Sequence, residues 1–222
     1  MIGRALRPDE RVGLLMAAVL LVPVLTTASN LFSTARGRWS LLADDFGLRF
    51  AAAGVGLLIA WAVLQALSSE RSVARVLGLT AWEAGLRHLA LYGVFSSFAF
   101  AALYHLLPRI SGRAWYSRRA ASIHFWATIV GVGAGALVAF ASGLVQGATW
   151  LAFGAVGDAS RFDDAVQHAV VAVRGYQALG LVAFGVVALA QYLFAWNAYR
   201  TALRGEPLPA AQAAPVAVGA PS

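Results

Sequence analysis

Apolar residues run almost unbroken through five stretches of this chain, and the polar positions gather between them. The stretches are about Val12–Ser33, Leu48–Leu67, Ala81–Leu107, Ala120–Ala148 and Ala165–Tyr199. Each is long enough to cross about 30 Å of hydrocarbon, which takes roughly 20 helical residues. None alternates in the manner of a barrel strand. Lipid forces a backbone to satisfy its own hydrogen bonds, so each run predicts a helix. The pattern predicts an all-α membrane protein with five transmembrane helices over 12–201. A short outer segment over 1–11 precedes them, and a disordered Ala/Pro-rich tail over 202–222 follows. In the third run, Pro108 is expected to stop the helix before a basic loop.

The charges between the runs predict an orientation. One side receives Arg36, Arg38, Asp44 and Asp45, then Arg109, Arg113, Arg118 and Arg119, then Arg200 and Arg204. The other side receives the N-terminus, the Ser68–Thr80 loop and the loop with Asp158, Arg161, Asp163 and Asp164. The first set is the more basic and is expected in the cytoplasm. The N-terminus is then outside and the C-terminus cytoplasmic.

Composition agrees with the bilayer as solvent. The chain is 60% hydrophobic and 12% charged, with mean hydropathy +0.70. It has no cysteine, which excludes disulfides, thiolate metal sites and a cysteine nucleophile. Its 17 basic residues are all arginine, and the net charge is +7. These charges sit in short loops, not on a face that could follow a phosphate backbone, so nucleic acid is not an expected partner. The first run lacks a convincing cleavage site and reads as a retained span. No P-loop, dinucleotide fingerprint, Ser-His-Asp set or broken transporter helix stands out.

The polar residues inside the runs carry the candidate chemistry, because ionisable groups in lipid are costly. His88 is the deepest histidine, roughly 10 Å in from Ala81 at about 1.5 Å per residue. A neutral imidazole there is either an axial haem ligand or a hydrogen-bonded packing residue. Arg87 and Arg174 lie toward the outer ends of their runs, where an arginine can clamp an acidic group or snorkel to the interface. His168 stands near the outer end of the fifth run. His105 and His124 flank the cytoplasmic loop and are expected at the interface. Thr26, Thr27, Ser29 and Asn30 suit backbone or interhelical hydrogen bonds near Pro23. Gly131, Gly133, Gly135 and Gly143 predict close helix packing.

Four segments in order carry a family resemblance: LYHLLPRISGRAWYS, IHFWATIVGVG, ASGLVQGATW and VRGYQALGLVAFGVVALAQYLFAWNAYRT. The chain from about Gly13 to Thr201 resembles the C-terminal half of subunit I of cbb3-type haem-copper oxidases. NLFSTARGRWSLLADDFGLRFAAAG is similar to the segment that precedes them in that family. The resemblance implies half of a haem-copper oxidase subunit I bundle. In the family a His-x-His pair on the third of these helices holds a haem on each side, since two residues on a helix are about 200° apart. Here the pattern is Gly85-Leu86-Arg87-His88. The second histidine is kept as His88, and the first is replaced by Leu86, which cannot ligate iron. The copper ligands and the second low-spin haem ligand belong to spans that the resemblance does not cover.

The resemblance therefore implies a subunit of a bacterial respiratory complex in the inner membrane. It implies one b-type haem on His88, without copper and without oxygen reduction by this chain alone. A partner chain or His168 is the expected second ligand, and Arg87 or Arg174 the expected propionate partner. Other membrane subunits, a c-type cytochrome or a second copy are the expected partners. A haem-free accessory subunit and one half of a split oxidase are the alternatives.

Overall fold

The computed structural model describes residues 8–37, 39–153 and 159–209. Among them are helices and short turns, with no strand. Helix α1 is Pro8–Ala35, α2 is Phe46–Ser68 and α3 is the short Arg71–Leu77. Helix α4, Ala81–His88, runs through a π-helical segment, Leu89–Phe95, into α5, Ser96–Ser111. Helices α6, Arg118–Ala152, and α7, Phe162–Arg204, complete the bundle. The protein is an all-helical membrane protein. Among the described residues four helices are long and apolar enough to cross a bilayer: Phe46–Ser68, Ala81–Ser111, Arg118–Ala152 and Asp163–Arg204. Five spans were expected. The first falls within α1, part of whose side chains lie outside the described residues. In α1, Thr26 and Thr27 donate their hydroxyls to the Val22 and Pro23 carbonyls, at 2.8 and 2.7 Å, as expected of hydroxyls in an apolar helix.

Small residues let the helices meet. Helix α6 is central and packs against α4 and along α7. A Cβ on Gly143 would strike the backbone of Trp82, and one on Gly135 would lie 2.8 Å from the Phe184 ring. Gly131 is likewise filled by Val187, while Gly133 faces open space. Two clusters form at two levels along α4–α5. One joins Leu86, Leu89, Val132, Ala136, Phe140 and Val187. The other joins Phe46, Phe50, Tyr104, Ala121 and Phe125.

Three loop features differ from expectation. Pro108 does not stop α5, which continues to Ser111 and closes on Gly112 in the left-handed conformation, φ 64°. A proline at 108 cannot donate to the Tyr104 carbonyl four residues earlier. The Trp115 indole N–H donates to that carbonyl instead, at 3.2 Å, so the helix survives. The Ser68–Thr80 loop contains α3, whose N-terminus Glu70 caps by accepting from Ser72 N and Val73 N. The tail begins later than residue 202. Arg204 ends α7, Ala114 N donates to Glu206 O at 2.8 Å, and Leu208 N donates to Gly112 O at 2.9 Å. The rest of the expected tail, 210–222, lies outside the described residues, as does most of the expected outer segment, 1–7.

Candidate functional site

The start of α4 is fixed from three directions. Thr80 caps it by accepting from Trp82 N at 3.2 Å. The Ala81 N–H donates to Gln146 Oε1 of α6 at 2.7 Å. The Trp82 indole donates to Ser68 Oγ, the last residue of α2, at 2.7 Å. This clamp sets the rotation of the turn that carries Leu86, Arg87 and His88. A π-helical segment begins immediately after His88, a form frequent at functional positions.

Leu86 and His88 point to different sides. Leu86 is 5% exposed and belongs to the apolar cluster with Phe140 and Val132. His88 is half-buried and borders a groove of about 420 Å³ between α4–α5 and α7. Its ring meets Phe184 edge-on at 4.7 Å between centroids and Tyr92 at 5.5 Å. Gly135 admits the Phe184 ring to this position. The groove is further lined by Ser96, Phe100, Thr128, Val187, Ala188 and Gln191. Its size is that of small-molecule and cofactor sites, as is its apolar wall with a few polar groups.

His88 Nδ1 is buried and has no hydrogen-bond partner among the described residues. An unmet buried polar nitrogen costs about 1–3 kcal/mol. The ring as a whole borders the apolar groove, and an imidazole placed so can serve as a haem ligand through its other nitrogen, Nε2. The residues present thus fit one axial bond. Among the described residues, no second histidine lines the groove and no cluster of metal-ligating side chains forms.

The other expected site residues are not gathered around His88. His168 is exposed, donates Nδ1–H to the Asp164 carbonyl at 2.9 Å, and lies against Phe153 at 4.3 Å. It precedes Phe184 by 16 residues on the same continuous helix. At about 1.5 Å per residue that is about 24 Å. One iron cannot span this separation, so the structure does not bring the two histidines together as an axial pair. Arg87 turns away from the His88 groove and pairs with Glu83, Nη1 to Oε2 at 3.8 Å, beside α2. Arg174 is exposed on α7, ten residues or about 15 Å toward its N-terminal end from Phe184. Among the described residues it has no ion-pair partner.

His124 is not at an interface. It is 0% exposed, enclosed by Phe50, Phe100 and Phe194. Tyr104 Oη lies 3.1 Å from its Nδ1, and Gln191 Oε1 lies 3.4 Å from its Nε2. Gln191 Nε2 donates to the Val187 carbonyl at 3.0 Å and to Thr128 Oγ1 at 3.3 Å. The Gln191 oxygen must therefore accept, so His124 carries its proton on Nε2 and accepts from Tyr104 at Nδ1. This chain holds Gln191 and Thr128 in the wall of the His88 groove. The signal in the sequence was the position of His124 four residues inside the apolar run, not at its margin. His105, by contrast, is exposed.

Comparison with known proteins bears on the family of the chain. The family model for cytochrome c and quinol oxidase polypeptide I matches residues 10–175. A cytochrome c oxidase subunit 1 homolog from Azorhizobium caulinodans is 27% identical over 205 residues, covering 90% of this chain and 36% of its own length. The cbb3-type cytochrome c oxidase subunit CcoN1 of Stutzerimonas stutzeri is 27% identical over 148 residues, covering 65% of this chain and 31% of its own. Cytochrome c oxidase subunit 1 of Rhodobacter capsulatus is 27% identical over 146 residues, with 64% and 27% covered. The chain thus spans about a third of the length of these relatives. With three quarters of its residues matched to the family model and a bundle of membrane-spanning helices, this chain belongs to the cytochrome c and quinol oxidase polypeptide I family.

Proposed function

We propose that this chain is an electron-transfer subunit of a bacterial respiratory assembly in the inner membrane, holding one b-type haem on His88. The observation that carries the reading is the position of the His88 ring, which borders an apolar groove where no second histidine lines the wall among the described residues. A haem held there supplies one-electron transfer within the membrane. Phe184 and Tyr92 fix the ring of the ligand, and Gln191 and Thr128 form the polar part of the wall. Arg174 is the cation available to a propionate from the outer side, whereas Arg87 is engaged by Glu83. The second axial ligand comes from a partner chain that covers the groove. The N-terminus lies outside and the C-terminus in the cytoplasm, with 202–222 on the cytoplasmic side. A c-type cytochrome, another membrane subunit or a second copy fits as the adjoining component.

Oxygen reduction is not an activity of this chain alone in this reading. Leu86 stands where the resemblance places the first histidine of the pair, and it is buried in the Phe140 cluster. That same closure favours a second reading, a haem-free accessory subunit, and opposes the split-oxidase reading. A pyridine haemochrome spectrum of the purified protein with its native partners separates the two. The haem reading expects b-type absorbance that His88→Ala removes and His168→Ala leaves intact. Absence of the signal, or its persistence in His88→Ala, leaves the accessory reading. Oxygen consumption after co-expression with the remaining subunit I spans would revive the split oxidase.

A further inference from the structure

The last turns of α7 hold one arginine in a fixed place. The loop 113–117, between α5 and α6, is tied to α7 by two fully buried side chains. Asn197 accepts from Ser117 N at 3.0 Å and donates to Ser117 O at 3.1 Å, while Thr201 Oγ1 accepts from Tyr116 N at 3.0 Å. These bonds set Tyr116 against Arg200. The Arg200 guanidinium donates from Nη2 to Tyr116 Oη at 3.0 Å, and lies 4.8 Å from the centre of the Tyr116 ring and 5.8 Å from that of Trp196. Stacking of this kind removes rotamer freedom before any ligand arrives. Arg204 stands one turn further along α7 and is exposed. The bond from Arg200 and its charge, then the charge of Arg204, hold the Tyr116 hydroxyl below its ordinary value of 10.0 against partial desolvation. Both cations thus act on one oxygen, which accepts from Arg200 and keeps its own proton to donate. No carboxylate pairs with either arginine among the described residues, and Glu206, the acid next in the chain, is exposed.

Below these cations the same face of α7 is apolar. Val182, Leu189, Trp196 and Leu203 recur every seven residues, a drift of only about 20° per step on a helix. All four are exposed. Gly185 adds a gap to the stripe, since nothing lies within 4 Å of a Cβ placed there. Trp196 and Val182 are about 20 Å apart along the helix, enough to lie beside an acyl chain in one leaflet of about 15 Å. Arg200 and Arg204 follow about 6 and 12 Å beyond Trp196, the order of an aromatic belt and then a headgroup. The stripe is not the wall of the His88 groove, because Gln191 is about 140° round the helix from Trp196. Two cations and a phenol O–H, with no acid paired to them, suit a phosphate that carries a net negative charge. A zwitterionic headgroup would bring its ammonium against the same two arginines. We propose that this face binds one anionic phospholipid, its phosphate held by Tyr116, Arg200 and Arg204 and an acyl chain laid along Trp196, Leu189 and Val182. The site does not depend on haem at His88.

The test uses the full chain in neutral detergent and counts retained lipid by native mass spectrometry. Dioleoyl phosphatidylglycerol is expected to add one molecule per chain saturably, and dioleoyl phosphatidylcholine to bind far more weakly. Arg200→Gln and Arg204→Gln each weaken phosphatidylglycerol binding about tenfold, the worth of one charge-assisted hydrogen bond. Arg36→Gln, which removes a charge just past the end of α1 at the same end of the bundle, leaves binding unchanged. Glycerol 3-phosphate at equal concentration does not compete, because it lacks the tail. Arg204 is exposed, so Arg204→Gln decides the matter if Arg200→Gln fails to fold. Equal retention of phosphatidylcholine, unaltered binding in Arg204→Gln, or an equal loss in Arg36→Gln overturns the proposal. Competition by glycerol 3-phosphate also overturns it and marks the arginines as a site for a soluble phosphate.

Discussion

The Trp115 indole takes the place of the backbone donor that Pro108 denies to the Tyr104 carbonyl. The two residues therefore compensate each other across a loop. Trp115→Phe should leave a largely buried acceptor unmet and cost about 1–3 kcal/mol of stability. In a Pro108→Ala background the helical N–H returns, and the same Trp115 substitution should cost clearly less. A double-mutant cycle by reversible unfolding in detergent measures the coupling. Additive costs would show that the indole does not serve this carbonyl.

The glycines of α6 separate into two kinds. Gly143 lies against the backbone of Trp82, whereas nothing approaches Gly133 within 4 Å. Gly133→Ala should be neutral or stabilise by about 0.5–1 kcal/mol, the ordinary gain in a helix. Gly143→Ala should destabilise, because α4 must move to admit a methyl. Melting temperatures of the two variants, compared side by side, check the sign of each.

A histidine at position 86 should not add a haem. Leu86→His would bury an imidazole in a cluster of aliphatic and aromatic side chains, at the edge of a groove that Gln65 and Glu83 also line. The expected cost is about 1–3 kcal/mol. The haem content per chain should not rise. A rise in bound haem with unchanged stability would mean that the Phe140 side opens readily.

Glu70 lies outside the membrane spans and makes the cap of α3 pH-dependent. The Ser72 hydroxyl, followed by the Val73 and Ser72 N–H groups, holds its carboxyl below the ordinary value of 4.5. A depressed folded pKa stabilises above the unfolded value and is lost as pH falls through the folded one. The amide signals of Ser72 and Val73 should therefore shift together below pH 4.5. In Glu70→Gln they should stay unchanged over the same range. Wild-type signals that do not move would place the cap elsewhere.

Much of the fold was legible because lipid permits few solutions. Continuous apolar runs such as Leu48–Leu67 leave the backbone only a helix, and α2 follows almost the same bounds. Glycine spacing foretold contact but not direction, since Gly133 and Gly135 look alike in sequence and only one faces a ring. The deeper misses were pairings between distant residues. His124 read as a marginal residue because its partners, Tyr104 and Gln191, lie 20 and 67 positions away. Pro108 read as a stop because its remedy sits in the next loop. His88 was legible as a candidate from its depth alone. That His168 lies far along α7 required the continuity of that helix, which local composition does not report.

The π-helical segment Leu89–Phe95 sets the angular relation between the two halves of its span. An i→i+5 bond encloses one residue more than the α-helical i→i+4 bond. Deleting one residue there would let the span run through as a plain α-helix. His88 would then swing by about 100° relative to α5, away from Phe184. The segment works as an indexing notch: its length, more than its side chains, selects the neighbour that the imidazole meets. Lineages that gain or lose that single residue would change the address of the imidazole without altering the imidazole.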